Sequence, residues 1–180
     1  MSIIYESWFD TDSVGGVMIE VGRLVEDLVE DSHRLMIMVR ELADNAVFHS
    51  GEGGGWCAVE RSVHHLTIMI RDRGVGVRGS LRDLYPGIDE RTAMQWVFGG
   101  GVSGLADPDR GLGLKMVLDY TGQGPTLLFE SGGVAFVGVE GRGRVIGKST
   151  QLVEGVIAGL RVPLRKKVAG QGDVAEPLRR

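Results

Sequence analysis

Between Leu35 and Ile70 the apolar residues of this chain change their spacing sharply. Leu35, Val39, Leu42 and Ala46 recur at i, i+4, i+7 and i+11, which lays a core-facing stripe along a helix. Asp31 or Ser32 supplies its N-cap, and the run Gly51-Glu52-Gly53-Gly54-Gly55 ends it. Residues 56–61 and 64–71 then read as two strands joined by a tight turn at Arg61-Ser62-Val63. A helix that runs straight into a β-hairpin must lay its apolar stripe on the sheet.

The rest of the pattern extends this unit. Residues 1–15 form a short strand or arm, and 17–30 an earlier helix. Residues 79–88 are irregular, with Pro86-Gly87 as a turn. Helices are expected over 90–98 and 111–120, and strands over 127–130, 134–139 and 156–163. Residues 99–110 carry many glycines and Pro108, and read as a loop. The economical arrangement is α/β: a two-layer sandwich with helices on one face of a mixed, mainly antiparallel sheet. The predicted domain covers residues 1–164, with 1–13 as an N-terminal arm and 165–180 as a basic mobile tail.

Composition narrows the function classes. The chain has 180 residues, 43% hydrophobic and 24% charged, as expected for one soluble domain with a real core. A net charge of -4 offers no general attraction to nucleic acid. Cys57 is the only cysteine, so no internal disulfide can form and a reducing, cytoplasmic setting fits. The start has no basic n-region, and no apolar run reaches the roughly 20 residues of a membrane helix. Glycine is the outlier, with 29 copies, clustered rather than periodic. Such clusters mark loops and places where backbone approaches a ligand closely. The three tryptophans, Trp8, Trp56 and Trp96, read as core or rim packing, and Cys57 as a small buried hydrophobe.

Three segments carry chemistry. Glu41, Asn45 and His49 form a second stripe beside the core stripe. An amide oxygen at Asn45 suits a magnesium ion, which takes few protein ligands and keeps waters and phosphates. The bland alternative is a solvated helix face. Asp72-Arg73-Gly74-Val75-Gly76 follows an apolar strand. A carboxylate there can accept from the exocyclic amine of adenine, which guanine lacks at that position; a simple turn would also favour Asp and Gly. Arg110-Gly111-Leu112-Gly113-Leu114-Lys115 opens a helix, where free N–H groups and the dipole favour an anion. Close helix–sheet packing would equally ask for those glycines. Arg110 and Lys115 read as phosphate contacts or as solvated charges. There is no GxxxxGK[ST] P-loop, and the Gly-Leu-Gly-Leu run is not a GxGxxG dinucleotide motif.

Taken in order, these three segments resemble the ATP site of the GHKL superfamily of gyrase, Hsp90, histidine kinase and MutL. In format the chain is most similar to stand-alone anti-sigma serine kinases. The resemblance covers roughly residues 14–164 and implies the Bergerat ATP-binding fold. It implies ATP and Mg²⁺ as cofactors, Glu41 as general base, Asn45 as magnesium ligand, and Asp72, Gly74 and Gly76 at adenine. It places His49, Arg110, Gly111, Leu112, Gly113, Leu114 and Lys115 near the phosphates. It gives the loop over 99–110 the role of an ATP lid. The implied activity is ATPase or protein serine kinase, regulating a protein partner of STAS or transcription-related type; a homodimer is a further expectation. The alternative is a non-catalytic ATP-gated binding module. One departure is visible: Gly155-Val156 stands where many members have Gly-Thr, so a hydroxyl near the base is missing.

Overall fold

The structure, a computed structural model, describes residues 1–51, 53–99 and 112–165. Strand β1 (Ser2–Asp10) turns into helix α1 (Val14–Glu26). Asp10 Oδ1 holds that turn by accepting from the N–H groups of Asp12 at 3.1 Å and Ser13 at 2.9 Å. Helix α2 (Ser32–His49) starts at the expected cap: the Asp31 carboxylate accepts from Arg34 N–H at 3.3 Å. It ends where the glycines begin, with Gly51 at φ 79, the left-handed conformation that glycine adopts without penalty. Strands β2 (Gly54–Arg61) and β3 (His65–Arg71) make the predicted hairpin. Helices α3 (Gly76–Leu81), α4 (Glu90–Gly99) and α5 (Gly113–Tyr120) follow, then β4 (Thr126–Val139) and β5 (Arg142–Pro163).

The five strands form one sheet in the order β1-β2-β3-β5-β4. All four neighbouring pairs are antiparallel, so the mainly antiparallel sheet expected from sequence is wholly so among the described residues. Alternate strand residues are buried: Cys57, Val59, Leu66, Ile68, Ile70, Leu127, Phe129, Ala158 and Leu160 all face the helical layer. Trp8, Glu6 and Leu128, on the opposite face, are exposed. Trp8 carries the Arg73 guanidinium 5.7 Å from its ring centre, a rim contact rather than a core one. The result is the two-layer α/β sandwich implied by the resemblance.

Two elements differ from the sequence reading. The six residues of α3 lie partly in the stretch expected to be irregular. Val77 and Leu81, one turn apart and both buried, give the helix its anchor. The three separate strands expected after residue 126 are two long ones. They meet at Glu140-Gly141, both at positive φ (54 and 70), a two-residue turn whose twist matches the strands. Of the lid expected over 99–110 and the tail expected over 165–180, residues 100–110 and 166–180 lie outside the described residues. No described helix is long and apolar enough to cross a membrane.

The core is close-packed under β3, so small deletions there should register. Ile68 is 1% exposed. Ile68→Val removes one methylene and is expected to cost about 1 kcal/mol by chemical denaturation. An unchanged midpoint would mean that the helical layer does not press on β3.

Candidate functional site

A cavity of about 440 Å³ opens between α2, the end of β3, α3 and the start of α5, in the size range of small-molecule sites. Its polar groups come from three places. Glu41, Asn45 and His49 project from one stripe of α2, one turn apart. Asp72 stands at its floor, just past β3, and Leu112, Gly113 and Leu114 line the mouth at the α5 N-terminus. The three segments picked out by sequence therefore converge on one space. Between them lies an apolar slot of Ile70, Val77, Phe129, Val156 and Ala158. Sequence reasoning had not assigned that slot to a ligand. Its signal was the inward period of β3, β4 and β5, which reads the same whether a strand covers core or cavity.

Asp72 is the one acidic side chain buried among the described residues, at 6% exposure. Burial pushes its carboxyl up to about 6, against backbone hydrogen bonds at Gly74 and Val156. Gly74 N–H donates to Asp72 Oδ1 at 2.8 Å, and Asp72 N–H donates to the Val156 carbonyl at 3.0 Å. The glycines after it are needed for approach. A β-carbon on Gly74 would overlap the Ser50 carbonyl, which also accepts from Val75 N–H at 2.9 Å. Gly74 thus seats the loop on the end of α2 and is not itself in the cavity lining. Gly76, at φ 68, starts α3 and does line it.

Glu41 is half-buried, and desolvation, then the nearby Asp44 charge, raise its carboxyl above the ordinary range. Asp44 is turned toward Arg40, 2.8 Å away. A β-carbon on Gly113 would collide with Glu41 Oε2, so this glycine lets the first turn of α5 come up to the carboxylate. Among the described residues that first turn has no side-chain cap, and the N–H groups of a helix start have no partner within the helix. Among the described residues, Asn45 Nδ2 is buried without a hydrogen-bond partner. A buried amide left unpaired costs free energy, and a ligand in the cavity would relieve it. Lys115 pairs with Asp119 at 2.6 Å and is not in the lining. Arg110 and Gly111 lie outside the described residues.

The family model for the histidine kinase-, DNA gyrase B-, and HSP90-like ATPases matches residues 30–143. The chain belongs to that family. Among solved structures, the 43K ATPase domain of Thermus thermophilus gyrase B, in complex with an aminocoumarin, is similar at 16% identity with a TM-score of 0.37. That match covers 89% of this chain and 41% of the other, so the chain spans less than half of that structure. Comparison with curated proteins gives no match.

Proposed function

We propose that this protein binds Mg²⁺–ATP and either hydrolyses it or transfers its γ-phosphoryl group to a serine of a partner protein that it regulates. The observation that carries this is the convergence of Glu41, Asn45 and buried Asp72 on one cavity. Adenine fits the apolar slot, with its amine donating to Asp72. The phosphates then reach toward the Asn45 end and the first turn of α5, where the N–H groups and dipole of a helix start favour an anion. Asn45 is the magnesium ligand. Among the described residues no cluster of three acidic, histidine or cysteine side chains could hold a metal. Magnesium bound by one protein oxygen plus phosphates and water needs none. When bound, the ion neutralises charge on the phosphates. Glu41 accepts the proton of the attacking water or hydroxyl, and its raised pKa makes it a better base than an exposed glutamate.

Titration calorimetry tests this directly. ATP should bind more tightly than GTP, and chelation of magnesium should weaken ATP. Equal affinity for the two nucleotides, or indifference to magnesium, would overturn the assignment.

A further inference from the structure

The Asp72 carboxylate selects adenine only if the wall behind it stays in place. That wall is a bulge in β5. Ser131 pairs with Val156 and Gly132 with Val153, so Glu154 and Gly155 have no partner on β4. Gly155 takes a φ of 75, and a β-carbon on it would overlap Asp72 Oδ1 and lie 2.7 Å from Gly74 N. The bulge backbone is therefore in direct contact with the carboxylate. Bulges interrupt the ladder, so something other than strand pairing must hold this one.

We propose that Ser131 is a positioning residue for base selection, its hydroxyl locking the Gly155 bulge to the loop that carries Asp72. Ser131 is 5% exposed. Its hydroxyl donates to the Gly155 carbonyl at 3.0 Å and accepts from Val77 N–H at 2.9 Å. Val77 is the second residue of α3, immediately after the Asp72–Gly76 loop. A β-carbon on Gly76 would sit 2.7 Å from Ser131 Oγ, so glycine there lets the hydroxyl in. One side chain thus closes a ring through Asp72, Gly74, Gly76, Val77 and Gly155. It is absent from the cavity lining, so it acts through Asp72 and not on the nucleotide. Val156, opposite Ser131 in the sheet, has no hydroxyl of its own to offer.

The inference rests on Asp72 as the adenine-selecting group, and the experiment separates the two claims. Affinities for ATP and GTP are measured by calorimetry for the parent, Ser131→Ala, Ser131→Cys, Ser131→Thr, Asp72→Asn and the Asp72→Asn/Ser131→Ala double variant. Ser131→Ala should weaken ATP about tenfold and GTP by less than about twofold, so selectivity falls. On the Asp72→Asn background it should change selectivity no further. Ser131→Thr, which keeps the hydroxyl, should restore selectivity. Ser131→Cys fills the space with a weak donor and should also lose selectivity, which decides the matter if the alanine variant does not fold. Equal losses for ATP and GTP, full selectivity without the hydroxyl, or additive effects with Asp72→Asn would overturn the proposal. A parent protein that does not distinguish the nucleotides would overturn the reading of Asp72 instead, and this inference with it.

Discussion

Glu41→Gln should lower ATP turnover by about 10²–10⁴-fold, the usual contribution of a general base, while leaving ATP binding nearly intact. Glutamine keeps the size of the side chain that packs on Gly113, so the first turn of α5 keeps its place. What it removes is the proposed proton acceptor. The parent rate should rise with pH along a limb set by Glu41. Burial and Asp44 raise that carboxyl, so the limb should lie above the ordinary glutamate range. In Glu41→Gln the limb should vanish. Because burial disfavours the charged form, the neutral variant should fold no less stably than the parent. Asn45→Ala, by contrast, should lose binding and turnover together. Turnover by Glu41→Gln at the parent rate would show that another group, or none, moves the proton.

How far the sequence disclosed this site depended on the kind of signal. Helix α2 was legible because its apolar stripe and its polar stripe have the same period and sit side by side. The Asp72 loop was legible because a buried carboxylate and close glycines leave letters in the chain. Helix α3 was not: two buried residues one turn apart make no periodicity that a reader can separate from a loop. The long β4–β5 hairpin was hidden for another reason. Its turn is Glu140-Gly141 rather than the usual Asn-Gly, and the bulge at Gly155 breaks the alternation in β5. Ser131 escaped for the same cause. A serine in a strand looks unremarkable until the fold sets it against Gly155 and Val77, 24 and 54 residues away. Lys115 lies outside the cavity lining, paired with Asp119 one turn on, a placement that nearness in sequence to the start of α5 does not disclose.

Asp72→Asn should weaken ATP about 10²-fold and bring ATP and GTP close to the same affinity, since an amide then presents a donor to the adenine amine. The asparagine oxygen can still accept from Gly74 N–H, so the loop geometry should survive. Stability should move the other way. The folded pKa of Asp72 is raised from 3.8 to about 6, so between those values the folded state binds the extra proton. Stability from this group is then full below the unfolded pKa and declines as pH rises through about 6. Holding the ionised carboxylate at neutral pH costs on the order of 3 kcal/mol, which the neutral variant does not bear. A more stable protein that no longer selects adenine is the signature of a group kept for binding rather than folding. The same proton governs affinity. With Asp72 as the proposed acceptor for adenine, parent affinity should fall as pH drops below about 6, and Asp72→Asn should show no such fall. Calorimetry at a series of pH values, with melting curves on the same samples, reads both effects. If Asp72→Asn lost stability as well as selectivity, the carboxylate would be a structural anchor of the loop, and adenine selection would have to come from the backbone around it.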